Sequence, residues 1–180
     1  YDDRWNKSLT MKGFFQRRLI RLHPMVIMGA VLGTITFLVQ GSVQWDGTHV
    51  ATSAVMLALL LAMCFIPAVP GCGYEVRGNG EMFPLNGPAW SLFFEYIGNI
   101  LYALFLRRLS DKALLALVIA LGMMSGGFAI FDVSGYGNFG VGWTIDTVNV
   151  IGGALRLLFP FTAGLLLSRR LRPKRVKGAF

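Results

Sequence analysis

The sequence predicts an all-α, multi-spanning transmembrane helix bundle, and three observations predict it. Hydrophobic residues make up 54% of the 180 positions and charged residues only 14%, against roughly 25% charged in a soluble domain. The mean hydropathy is +0.58, so the chain lacks the polar surface that water requires. The apolar residues are also gathered into runs of about 17 to 22, the length a helix needs to cross a hydrocarbon core of roughly 30 Å. These runs lack the polar residue at every third or fourth position that marks a soluble core helix.

Five apolar segments stand out, at about 24–40, 50–70, 89–106, 113–131 and 148–168. Ahead of the first, Lys12 to Leu22 mixes aromatic and basic residues and predicts a short helix lying in the membrane interface with its apolar face down. Pro24 then suits the first turn of the following span, where a missing N–H costs nothing. Between the spans, Gly41 to Gly47 is a short polar turn with an interfacial Trp45, 70–88 is a Gly- and Pro-rich irregular loop, and 135–146 is another. No internal repeat is present. Residues 1–180 read as part of one membrane domain, with 1–23 as its polar and interfacial lead-in. The polar start without Met and the basic finish read as an excerpt of a longer protein.

A net charge of +8 and a pI near 10.0 raise the question of nucleic acid. The placement argues against it, because Arg17, Arg18 and Arg21, then Arg107, Arg108 and Lys112, then Arg169 to Lys177 each flank an apolar run. Cationic residues sit this way around membrane spans, where they anchor ends, set orientation and meet lipid headgroups. Cys64 and Cys72 form no CxxC pair and have no neighbouring His, so neither a disulfide nor a metal site is expected.

Polar side chains inside a span are costly and by default mark function. Ser91, Glu95, Asn99 and Tyr102 fall at helical spacing on one face of the third segment. A structural stripe bonding to neighbouring helices is the plain alternative. A carboxylate is costlier than the Asn or Ser that would serve as glue, and this favours Glu95 as a functional group. Arg18 and Arg21, at i and i+3, project together, and paired guanidinium groups recognise phosphates; headgroup anchoring is the alternative. Arg156 stands about a third of the way along the last span, with Glu95, Asp132 and Asp146 as the acids it could pair with. Two features are set aside. Gly135 to Gly140 matches GxGxxG but lacks the strand and helix context of a dinucleotide site, and His23 and His49 are isolated near span ends.

Phe15-Gln16-Arg17-Arg18-Leu19-Ile20-Arg21-Leu22-His23-Pro24 resembles the basic RxxR-x-x-P lead into the third transmembrane helix of the acyltransferase-3 family. Those are integral membrane acyltransferases that O-acetylate bacterial cell-surface polysaccharides and related glycans. Pro88-Ala89-Trp90-Ser91-Leu92-Phe93-Phe94-Glu95-Tyr96 resembles the W-S-L-x-x-E helix of that family, and 156–164 looks like a later one. The resemblance implies a ten-helix unit of which about five spans are here. It implies an acyl-CoA donor, acetyl-CoA above all, with no bound cofactor or metal. It implies a glycan or lipid-linked glycan acceptor, surrounding membrane lipids, and a bacterial inner or plasma membrane. Arg18 and Arg21 would hold the donor phosphates, Glu95 would be catalytic, and Trp90, Ser91 and Arg156 would contact substrate. The catalytic His of the family belongs to its first helix, outside this chain, and His23 does not take its place.

Two competing classes remain. A transporter or flippase fragment would also carry Glu and Arg in its spans, usually on broken helices near the midplane, and a structural subunit would not need Glu95. Orientation is also contested. With five spans, three separate Arg18 from Arg107, so the two clusters face opposite sides and the richest basic run falls outside, against the positive-inside tendency. Either one segment does not cross, with a re-entrant piece around 71–88, or function rather than topology places the clusters.

Overall fold

The computed structural model describes residues 9–137 and 139–171. It is all-helical, with α1 (Met11–Val39), α2 (Thr52–Met63), α3 (Ala89–Leu104), α4 (Asp111–Ile130) and α5 (Thr147–Arg170), and a 3-10 turn at Leu106–Arg108. Lys174 and the other basic residues of 172–177 lie outside the described residues.

Helix starts follow the local sequence. Thr10 caps α1 by accepting from Gly13 N, Ser110 caps α4 by accepting from Ala113 N, and Asp146 caps α5 by accepting from Asn149 N. The ends of α1, α2 and α4 close on left-handed residues, Gly41, Phe65 and Asp132. Behind each, paired bonds such as Phe65 N to Ala62 O and Ile66 N to Leu61 O satisfy the last carbonyls. A membrane helix needs this closure, because lipid offers its free backbone groups no partners.

Among the described residues four helices are long and apolar enough to cross a membrane, not five: α1, α3 with its 3-10 extension, α4 and α5. The expected second span, 50–70, is the exception. Its helix has 12 residues, about 18 Å at about 1.5 Å per residue, well short of a roughly 30 Å core. Both ends of the segment bond into one loop layer. Val50 N donates to Ser42 O at 2.8 Å, Ala68 N to Met82 O at 2.7 Å and Met82 N to Trp143 O at 2.7 Å, while Trp45 N reaches Arg77 O at 3.0 Å. The chain therefore dips along α1, reverses at Phe65 and comes back to the side it left. Phe65 holds φ +61°, an uncommon conformation for a bulky residue, and its ring stacks on Phe83 at 5.0 Å and meets Tyr96 at 5.1 Å.

This re-entrant segment removes the conflict over orientation. Phe14 is buried against Tyr102, Ala103 and Leu106, so the N-terminal end of α1 lies beside the C-terminal end of α3. Arg169, at the C-terminal end of α5, donates to Leu109 O at 2.7 Å and Arg107 O at 3.1 Å and sits 3.5 Å from Asp111. The described members of all three basic clusters share one end of the bundle, and the positive-inside tendency makes it the cytoplasmic end.

The interfacial helix is likewise corrected: residues 11–23 continue without a break into α1, with Pro24 in its interior. Pro24 leaves the Ile20 carbonyl without its helical donor. The continuous helix is held instead by Phe14, whose apolar ring finds α3 rather than lipid. At mid-helix a close approach fixes the loop layer, because a Cβ on Gly33 would run into the carbonyl oxygen of Leu85.

The topology yields a labelling prediction. In protein with Cys64 and Cys72 replaced by Ser, His49→Cys and Gly73→Cys, both at exposed loop positions, should react with an impermeant maleimide from the same face. Arg170→Cys should react only from the other face. Labelling of the first two from opposite faces would restore a crossing at 50–70.

Candidate functional site

The polar stripe of α3 faces several surroundings in turn. Ser91 is exposed and its hydroxyl donates back to Pro88 O at 2.9 Å. One turn on, Glu95 is half-buried, and its carboxylate has no hydrogen bond or ion pair among the described residues. Asn99 Nδ2 donates to the Glu95 carbonyl at 2.8 Å. Tyr102 is buried with its ring 5.7 Å from Phe14.

Beside that stripe, α1 and α3 splay to leave a cleft of about 590 Å³. Lys12, Phe15, Gln16, Arg18 and Leu19 line one wall, and Tyr96, Asn99 and Ile100 the other. The volume falls within the range of roughly 300–1,000 Å³ typical of small-molecule sites. Arg18 is half-buried, with its guanidinium 5.5 Å from the centre of the Phe14 ring. The i, i+3 expectation that Arg21 projects with it is not met: Arg21 is exposed and does not line the cleft. About 100° of helix per residue puts three residues at about 300°, near enough for contact but with only Arg18 turned to α3.

Arg156 also departs from expectation. None of Glu95, Asp132 or Asp146 is its partner. Its guanidinium stacks 4.6 Å from the Trp90 ring centre and donates to Val141 O at 3.0 Å. Trp90 in turn meets Trp143 at 5.9 Å, and Gly142 is pressed against it so closely that a Cβ would come within 2.6 Å of the ring. Trp90 and Arg156 thus clamp the 139–143 loop to α3 at the end of the bundle away from Arg18. From Trp90 to Asn99 the helix rises about 14 Å, with Glu95 between.

A second cavity, of about 460 Å³, opens in the loop layer. Glu81, Tyr136, Trp143, Thr144 and Asn149 are among its walls. Asn149 is fixed by accepting from Gly142 N at 2.8 Å and donating to Asp146 at 2.7 Å. Burial raises the Asp146 pKa, but bonds from Thr144, Asn149 and the Val148 amide outweigh it and hold the carboxyl below its ordinary 3.8. Among the described residues no three His, Cys, Asp or Glu side chains gather to hold a metal ion.

A family model described as an acyltransferase domain matches residues 4–180, nearly the whole chain. The chain belongs to the acyltransferase-3 family. It is a multi-pass membrane protein of acyltransferase type. No curated protein and no solved structure matches it significantly.

Among the cleft residues, Lys12 and Gln16 escape notice in the sequence because an interfacial helix would turn them to water. Lys12 with Gln16 and Phe15 with Leu19, each at i, i+4, are the signal that a second face was present. Tyr96 carries no such signal.

Asp146 supplies the test of the loop layer. Because its pKa is depressed on folding, its contribution is fully present above 3.8 and is lost as pH falls through the lower folded value. Asp146→Ala should cost about 1 kcal/mol at neutral pH through loss of the cap. That difference from the wild type, read by thermal unfolding in detergent, should shrink only below pH 3.8.

Proposed function

We propose that this acyltransferase takes an acyl group, most simply acetyl, from acyl-CoA on the cytoplasmic side and delivers it to a hydroxyl of a cell-surface carbohydrate or lipid-linked glycan. Its setting is then a bacterial inner or plasma membrane. The observation that carries the reading is the Arg18 cleft, open at the basic end of a chain whose family is acyl transfer.

The chemistry divides along α3. The donor is an anion with a long arm, so its phosphates belong with Arg18 and Lys12 at the cleft wall, where the fork of a guanidinium suits phosphate oxygens. Arg21, exposed beside the mouth, adds to the attracting field rather than to the wall. In the transfer the acceptor oxygen attacks the thioester carbonyl, a C–O bond forms as the C–S bond breaks, and the hydroxyl proton passes to a base and from it to the departing sulfur, which leaves as the CoA thiol. Glu95, a carboxylate with no cation on it among the described residues, orients or polarises the reacting groups. Neither histidine of the chain is assigned as the base: His49 is exposed in the loop layer, and His23 does not line the cleft. The acceptor approaches from the loop layer, whose cavity pairs the aromatic faces of Tyr136 and Trp143 with polar groups. Trp90, Ser91 and Arg156 shape the substrate path on that side, Arg156 by holding the 139–143 loop.

Acyl-CoA-dependent acetylation by the membrane-embedded protein tests these roles. Arg18→Ala should raise KM for the donor about tenfold or more, with Arg18→Lys in between and Arg21→Ala smaller. Glu95→Gln should lower kcat by about 10²-fold with the protein still folded. Unchanged kinetics in both Arg18→Ala and Glu95→Gln would sink the assignment.

A further inference from the structure

The cleft holds two polar atoms that the donor's charge does not explain. Asn99 is 3% exposed and lines the cleft, yet its Oδ1 has no hydrogen-bond partner among the described residues. Its orientation is fixed. Nδ2 is committed to the Glu95 carbonyl at 2.8 Å, and turning the amide over would set oxygen against oxygen. Oδ1 is therefore an acceptor awaiting a donor. Tyr96, at i−3 on the same helix face, also lines the cleft, and its hydroxyl too is buried without a partner. A buried polar atom left unmade costs free energy, and the neighbouring cleft walls of Phe15, Leu19 and Ile100 offer no side-chain partner.

We infer that Asn99 and Tyr96 form a subsite for a secondary amide in the arm of the acyl donor, with Asn99 Oδ1 accepting from its N–H and the Tyr96 hydroxyl donating to its C=O. This rests on the acyl-CoA reading above and adds binding residues to it. One unpartnered acceptor and one unpartnered hydroxyl on the same cleft are the complement that an amide N–H and C=O require. The order along the cleft also fits such an arm. Cationic Arg18 and Lys12 stand on the facing wall for the phosphates, the amide pair lies on α3, and Glu95 sits one turn, about 6 Å, deeper, where a short methylene link would bring the thioester.

The experiment compares two simple donors with the intact protein in membranes: the acetyl thioester of N-acetylcysteamine, which carries the amide, and its analogue in which ester oxygen replaces the amide N–H. Wild-type protein should prefer the amide by about tenfold in kcat/KM, or ~1.4 kcal/mol, since the ester oxygen places a lone pair against Oδ1. Asn99→Leu, similar in volume, should abolish that preference while still turning over both donors. Tyr96→Phe should raise KM for both and leave the ratio intact, because the two share the carbonyl. A wild type with no amide preference overturns the subsite, as does a preference that survives Asn99→Leu. If wild-type protein acetylates from acyl-CoA in either case, the proposed function stands without the subsite. If it never uses acyl-CoA, both fall.

Discussion

A helix of 12 residues reaches about 18 Å into a core of roughly 30 Å, and the backbone beyond it must find partners inside the protein. That constraint decides the arrangement of everything else. The segment after α2 turns at Phe65, bonds Ala68 to Met82, and rejoins the loop layer. Because it does not cross, α3 runs antiparallel to α1, and the odd number of crossings between Arg18 and Arg107 becomes even. The N-terminal half of α1 then lies against the C-terminal half of α3. Only in that pairing can Arg18 share a cleft with Asn99.

Much of this was legible in the sequence, and the limits are instructive. The spans at α4 and α5 are bounded by capping residues, Ser110 and Asp146, that a reader can find without coordinates. The polar face of α3 was legible too, since 3.6-residue periodicity alone places Ser91, Glu95, Asn99 and Tyr102 together. The failure at 50–70 has a physical cause. A re-entrant helix and its return strip are as apolar as a span, because both lie at membrane depth, where lipid meets whatever the protein does not cover, so composition cannot tell one crossing from a dip and return. The continuity of α1 through Pro24 was hidden for a related reason: an aromatic and basic stretch looks the same whether its ring faces lipid or, like Phe14, a neighbouring helix.

The partner of Arg156 was missed because charge was matched with charge. The whole chain carries 17 Lys and Arg but only 9 Asp and Glu, so carboxylates cannot serve every cation. Several of the described guanidinium groups turn to ring faces and backbone carbonyls, Arg169 in addition to its contact with Asp111. Arg77 stacks 4.8 Å from Phe37 and donates to Pro84 O, Arg107 donates to Ala103 O, and Arg169 reaches the carbonyls at the end of the 3-10 turn. Trp90 and Val141 do the same for Arg156. Carbonyl oxygens at helix ends and in irregular loops are plentiful and carry partial negative charge, and an aromatic face adds attraction without a proton to titrate.

That economy bears directly on Glu95. An ion pair with Arg156 would have neutralised the carboxylate and locked it to α5. With Arg156 drawn to Trp90 and Val141, and Arg18 facing the cleft from α1, the acid is left on a helix face without a cation bound to it among the described residues. A polar group of this kind inside a span is costly, and structural packing supplies no reason to retain it. The reacting group proposed to develop or shed charge against that side chain does supply one, so the role proposed for Glu95 rests on where the arginines elsewhere in the bundle have gone.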